Sequence, residues 1–437
     1  MSVLKKTAWY LFFIFGLSSE AFAQAYKDGK LWLNEDGSHY FKFTLLSQVW
    51  LRHTDLNPGT TINDYPKRSY TDIGIRRARI QAYGQLADRV FIYTQMGMNN
   101  FSFLSDRKAG FFIHDILGEY ALIPDKFALG GGLTAWNGLT RFAAPSTASI
   151  LGVDAPLFEQ TTNDVNDQFL RKLSLYAKGK IGSLDYRLVM SSPMAVQKAA
   201  GYSSEISRFS NFSPMPAKMQ WQGYFKWDFF DQEDNTTPYM AGTYYGKKRV
   251  FNIGIGFQIQ PDAMWHSTAT GDTVSTDMKH FAVDAFYDAP LSDPAGPSIS
   301  AYATYIHFDH GPGYIRQQAT MNPANGVTAN PFSNSGNGYP SFGTGNVFYA
   351  QFGYKFKENM IGSTTVMPYV SGQYAHYDRL NDQMLFWDVG TSWLLKGNNA
   401  KLTVAYQNRP IYESDENGYG YLIDHKGTAL VQFQVFF

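Results

Sequence analysis

The stretch Phe251-Asn252-Ile253-Gly254-Ile255-Gly256-Phe257-Gln258-Ile259-Gln260 decides the fold. Every odd-numbered position is large and apolar, and every even-numbered one is polar or glycine. A side-chain period of two is a β-strand with one greasy and one wet face. The same alternation recurs along the chain. Phe41, Phe43, Leu45, Val49 and Leu51 oppose Lys42, Thr44, Gln48, Trp50 and Arg52. Phe348, Ala350, Phe352, Tyr354 and Phe356 oppose Tyr349, Gln351, Gly353 and Lys355. The closing segment sets Ala429, Val431, Phe433, Val435 and Phe437 against Thr428, Gln432 and Gln434.

Two features separate a membrane barrel from a soluble sandwich. The runs are about 9–12 residues long, enough for a tilted strand to cross a bilayer, where soluble strands average about 5–6. Aromatic residues gather near the ends of the apolar faces (Trp221, Trp227, Trp387, Trp393, Tyr354, Tyr374, Tyr406), as interfacial girdles do. Connectors also alternate short and long, which is the rhythm of periplasmic turns and extracellular loops. The expectation is all-β: a transmembrane antiparallel barrel over residues 40–437, of about 16 strands. Asp231 to Lys248 breaks the rhythm. It is either a long periplasmic connector or, through Tyr239 to Tyr245, a further strand, which leaves a count of about 18 possible.

Composition agrees with this class. The chain has 437 residues, 44% hydrophobic and 16% aromatic, so it is not disordered. Lys+Arg and Asp+Glu are both 37, which removes the basic surplus a nucleic-acid binder needs. With no cysteine, disulfides, Cys-ligated metals and thiol nucleophiles are excluded. Lys5-Lys6, the apolar run Ala8 to Leu17 and Ala21-Phe22-Ala23 read as a signal peptide over residues 1–23. Residues 24–39 then form a periplasmic N-terminal segment. The expected destination is the outer membrane of a Gram-negative cell.

Two connectors are unusually long. Asn137 to Gln168 carries Phe142, Ile150, Leu151, Val153, Leu157 and Phe158, more apolar bulk than a surface loop needs, so it is expected to fold inward and narrow the bore. Asp309 to Gly345 is dense in Gly, Pro and Asn and reads as an exposed or mobile loop.

Arg76-Arg77-Ala78-Arg79-Ile80 followed by Tyr83-Gly84 resembles the Arg-Arg-Ala-Arg run of the porin O and P family, the phosphate-selective porins. Phe43…Gln48-Val49-Trp50 and Val431-Gln432-Phe433…Phe437 resemble the same group, in its Bacteroidota-type branch. The resemblance implies a sixteen-stranded barrel, usually a homotrimer, passing small hydrophilic solutes and needing no cofactor. Phe437 would serve as the aromatic assembly signal. The chain departs from the family in its balanced charge, which points to a general or weakly anion-preferring channel rather than a phosphate-specific one.

Alternation assigns the charges expected to line the bore. The anion-attracting set is Arg52, Arg77, Arg79, Arg187, Lys226, Lys355 and Lys401; the acidic set is Asp115, Glu119, Asp284 and Asp388. Opposed walls of this kind create a transverse field that orients polar solutes. Arg52, Arg77 and Arg79 form one like-charged group that calls for a counter-anion or nearby acids. Two rival readings are a barrel enzyme and a non-conducting structural or secretion-accessory barrel. The only dense histidine cluster, His307-Phe308-Asp309-His310, is a poor catalytic or metal site by spacing alone, and no catalytic or metal residues are assigned.

Overall fold

The computed structural model describes residues 26–437 apart from 28, 109, 198–205, 294, 327–329, 331, 333 and 334. The expected signal peptide lies outside the described residues. Sixteen strands form the wall: β1 (Tyr40–Asp55), β2 (Ser69–Ala87), β3 (Val90–Phe101), β4 (Phe112–Ile123), β5 (Phe127–Thr134), β6 (Lys172–Ile181), β7 (Leu184–Ser192) and β8 (Gln220–Asp228). The second half is β9 (Val250–Ser267), β10 (Thr273–Pro290), β11 (Ser298–Asp309), β12 (Gly345–Lys355), β13 (Thr365–Tyr377), β14 (Met384–Asn398), β15 (Ala400–Ser414) and β16 (Gly420–Phe436). Each pairs antiparallel with the next, and β16 pairs with β1 from Thr428↔Thr54 to Phe436↔Leu46. The sheet therefore closes. In hydrocarbon an open edge would leave backbone groups without partners, so closure is what lets strands span.

The sixteen-strand count settles Asp231 to Lys248: it is the connector between β8 and β9, not a strand pair. Periplasmic turns are tight. Gly182-Ser183 joins β6 to β7 with Gly182 at φ +60°, a conformation a hairpin of this length favours and only glycine adopts freely.

The outer face is apolar. Phe43, Leu45, Leu51, Ile255, Phe281, Val283, Phe348, Phe352 and Phe433 are all exposed on the barrel exterior. Trp221 and Trp227 mark two levels on β8, and their partners on β9 are Ile259 and Ile253. This apolar band between aromatic rows fits a bilayer, and the protein is an outer-membrane barrel.

Asp309 to Gly345 is not an exposed flap. Tyr314, Met321, Phe332 and Phe342 are buried, and Ile315–Gln318 pairs with Tyr339–Gly343 as a small hairpin over the barrel mouth. Its scattered aromatics supply the burial, and they are too widely spaced to show as a pattern in sequence.

Ile255 lies midway between the tryptophan rows, opposite Phe225. Ile255→Arg is expected to destabilise the barrel by about 2–4 kcal/mol, the cost of a cation at mid-bilayer depth. Urea unfolding from phospholipid vesicles measures it, and a cost under about 1 kcal/mol would contradict a lipid-facing position.

Candidate functional site

Two segments enter the bore from opposite ends. From the extracellular side, residues 135–171 leave β5 and cross the interior before β6. From the periplasmic side, the β8–β9 connector turns inward. They meet through Arg141, whose Nη1 donates to Glu233 Oε2 at 2.8 Å and whose Nη2 donates to Glu233 Oε1 at 2.5 Å. Lys226 Nζ and Asn252 Nδ2 also donate to Glu233, at 3.1 and 2.8 Å. The Met240 amide donates to the Ala144 carbonyl at 2.9 Å, and the Ser146 amide to the Met240 carbonyl at 2.8 Å. A fork-on-carboxylate pair is geometrically specific, and burial makes it costly to break from one side.

Beyond Arg141 the extracellular segment crosses to the opposite wall. Gln48 Nε2 donates to the Thr147 carbonyl, Gln434 Nε2 to the Ala148 carbonyl and Lys401 Nζ to the Ile150 carbonyl. The inward glycines of the β9 stretch now have a reason. A Cβ on Gly256 would stand 2.1 Å from the Leu139 carbonyl oxygen, so the crossing segment reaches the wall only because that position is bare.

The crossing leaves a slot along β1–β3. On its extracellular side a cavity of 170 Å³ is lined by Arg76, Arg77, Arg79, Arg171, Arg316 and Asp164, among others. On its periplasmic side a cavity of 150 Å³ is lined by Lys42, Gln81, Tyr83 and Gln95. Arg79, Pro145, Thr147 and Tyr239 line both, and so mark the neck.

The charges at the neck are unequally matched. Asp154, from the crossing segment, takes Arg76 (Nη2 at 2.8 Å) and also Arg77. Asp115 on β4 accepts from Arg171 Nε at 3.1 Å and from the Tyr239 hydroxyl at 2.5 Å. Arg79 donates only to Gln95 Oε1 at 3.2 Å and Asn99 Oδ1 at 2.9 Å; among the described residues it has no carboxylate partner.

The remaining assigned charges are spread around the wall. Arg52 stands four residues up β1 from Gln48, the partner of Arg77, and is tied to Asp72 by Nε at 2.7 Å, with the Thr320 carbonyl also accepting. The expected Arg52/Arg77/Arg79 group is therefore divided, because Arg52 has its own carboxylate opposite. Arg187 lies over Trp136 and Tyr224, and Lys226 is enclosed by Asp228 and Glu233. Lys355 faces Glu358 at 3.7 Å at the periplasmic end. Glu119 meets Lys178; Asp284 accepts from Tyr224 and the Arg141 amide; Asp388 accepts from Tyr369 and Gln407. His307 points outward to Asn346 while His310 packs inside against His280, so that cluster is not assembled. The exposed Phe437 pairs its backbone with Leu45.

Arg76, Asp154, Arg171, Glu233 and Tyr239 were not legible as site residues. A register shift between β1 and β2 lets adjacent Arg76 and Arg77 both face inward, against strict alternation. The others belong to connectors, where no period assigns a face.

In a comparison with solved structures, OprB of Pseudomonas putida matches with a TM-score of 0.51, 10% identity, 91% of this chain and 94% of that one covered. The chain has the porin fold. OmpF of Salmonella typhi in complex with daunomycin matches at TM-score 0.49 and 10% identity, covering 92% of this chain and 99% of that one. The DcaP channel of Acinetobacter baumannii matches at 0.48 and 11%, with the same coverages. No protein-family model and no curated protein sequence matches the chain.

Two expectations follow for this porin-fold chain. Glu233→Ala leaves Arg141 buried without its carboxylate, a loss of about 3–5 kcal/mol. The two inward segments should then part, raising single-channel conductance in planar bilayers; an unchanged conductance would deny the latch. Separately, burial pushes the Glu159 carboxyl up to about 8, with Asp284 adding to it, against hydrogen bonds from the Tyr302 hydroxyl and the Phe142 amide. An unfolded carboxyl titrates near ~4.3, so the folded state binds the extra proton, and this contribution to stability is whole below that value and gone once pH passes about 8. Heat denaturation in detergent should therefore show Glu159→Gln gaining on the parent between about pH 5 and pH 9.

Proposed function

We propose that this protein is a passive diffusion channel for small hydrophilic solutes with a weak preference for anions. The observation that carries the proposal is Arg79, a buried guanidinium at the neck held only by neutral amides. A charge in a narrow, partly desolvated passage keeps most of its field. Around the slot, five arginines (76, 77, 79, 171, 316) face three carboxylates (115, 154, 164), a surplus of two positive charges. Asp154 serves both Arg76 and Arg77, and Asp115 serves Arg171, which leaves Arg79 and Arg316 bonded to no carboxylate among the described residues.

The resemblance to the porin O and P family rests on this same Arg76–Ile80 run. Phosphate specificity would need an uninterrupted basic wall, whereas here Asp154 and Asp115 interrupt it. Homotrimeric assembly enters only through that resemblance. A barrel enzyme or a silent structural barrel is the competing class, and two cavities that share Arg79, Pro145, Thr147 and Tyr239 along one wall favour a conduit over both.

Reversal potential across a bilayer in a potassium chloride gradient tests the proposal. The parent should lie modestly on the anion side. Arg79→Glu, which takes the surplus from two positive to zero, should abolish the preference, and Arg77→Glu should shift it the same way. Stepwise conductance that ignores both substitutions removes the arginines from the account. An electrically silent protein that hydrolyses lipid or peptide would favour the enzyme.

A further inference from the structure

A second cavity, of 70 Å³, opens from the extracellular vestibule on the other side of the crossing segment. Leu157, Gln318 and Thr320 line both it and the arginine-lined cavity, so the two share one antechamber. Its walls carry three charged side chains: Asp154, Asp388 and Arg409. Asp154 is committed to Arg76 and Arg77. The other two stand differently.

Asp388 on β14 is buried and accepts from the Tyr369 hydroxyl at 2.9 Å and Gln407 Nε2 at 3.0 Å, both neutral donors. Arg409 on β15 is buried and donates to Asn57 Oδ1 (Nε at 3.2 Å), Thr428 Oγ1 (Nη1 at 3.3 Å) and the Asp55 carbonyl, all neutral acceptors. The Asp55 side chain itself is exposed. Among the described residues neither charge has an ion-pair partner. Asp388 is the register partner of Gln407, so Arg409, two residues on, is its diagonal neighbour on the same inward face, about 7–8 Å away between Cα atoms.

One cavity thus presents one uncompensated carboxylate and one uncompensated guanidinium at a fixed separation. The rest of the lining mixes rings and hydrocarbon, among them Trp50, Phe158, Tyr349 and Phe386, with neutral polar side chains such as Asn337 and Gln373. Tyr339 and Phe386 lie stacked, 4.8 Å between centroids and 4° between planes. A simple cation would meet Arg409 and a simple anion would meet Asp388. A polyol would leave both charges unanswered, at the cost of buried charge without a partner. A zwitterion answers both: its carboxylate accepts the remaining Arg409 N–H, its ammonium donates to Asp388 and faces the aromatic rings. The volume is room for roughly five to seven waters at about 10–15 Å³ each, hence a solute of a similar number of heavy atoms.

We propose that this cavity is a binding site for small α-amino acids in zwitterionic form, poised beside the entrance to the slot. It does not depend on the slot's ion preference, and binding is read without any flux.

Isothermal titration of the full detergent-solubilised protein with L-alanine tests it, alongside L-alaninamide, L-lactate and glycerol, all of one size and within the cavity's volume. L-Alanine should bind saturably, one per chain, while alaninamide, which lacks the carboxylate, and lactate, which lacks the ammonium, each bind at least tenfold more weakly. Asp388→Asn, isosteric and still able to accept from Tyr369, should weaken alanine at least tenfold and narrow its advantage over lactate. Arg409→Gln should narrow the advantage over alaninamide. The wild-type analogue series decides even where a variant fails to fold. Alaninamide binding as tightly as alanine would make this a cation site, lactate doing so an anion site, and glycerol binding more tightly a polyol site. Any of these, or no saturable alanine binding, overturns the proposal.

Discussion

The structure rests on the pairing of β16 with β1. A strand in lipid has no water to take its edge, and nine consecutive register partners from Thr428↔Thr54 to Phe436↔Leu46 remove that edge. Once the cylinder closes, the two faces of every strand acquire different solvents. The exterior must be apolar throughout its middle. The interior is released from that demand and admits Gln48, Arg79, Asp388 and Lys401, which no soluble core of this size would carry so densely.

That freedom creates a second problem. A wide cylinder with polar walls conducts without discrimination unless something fills it. Here the filling comes from both ends, and the Arg141–Glu233 pair is where the two parts join. The join has neighbours on three strands: Lys226 on β8, Asn252 on β9 and, through the Arg141 amide, Asp284 on β10. With that side of the bore occupied, the open space lies along the β1–β3 wall, with Arg79 lining it.

The filling is polar and satisfied in most places by carbonyls and amides rather than by opposite charges. This is why a few groups remain electrically conspicuous. Arg79, Asp388 and Arg409 keep their fields because their partners are neutral, whereas Arg52, Arg76, Arg77 and Arg171 are matched by carboxylates. Under the proposed channel function, selectivity depends less on how many charges line the bore than on which ones the connectors leave unmatched. A balanced composition of 37 against 37 is therefore compatible with a locally charged passage.

The barrel was legible because its signal is local: a period of two reports which solvent each face meets, and lipid and water are as different as solvents can be. The inward position of Arg77, Arg79 and Asp388 follows from the same period. The Asp231 to Lys248 segment was ambiguous because aromatic-rich Tyr239 to Tyr245 satisfies strand composition while its burial comes from the bore. The connector Asp309 to Gly345, expected to be exposed, packs inward instead, because Gly and Pro report backbone freedom, not where a loop packs. The amino-acid order by itself thus determined the wall and the side of it that most strand residues face, Arg76 at the register shift excepted. Only the folded cylinder decided which charges meet, because Asp154 reaches Arg77, and Glu233 reaches Arg141, across about 80–90 residues of chain whose path through the bore no periodicity encodes.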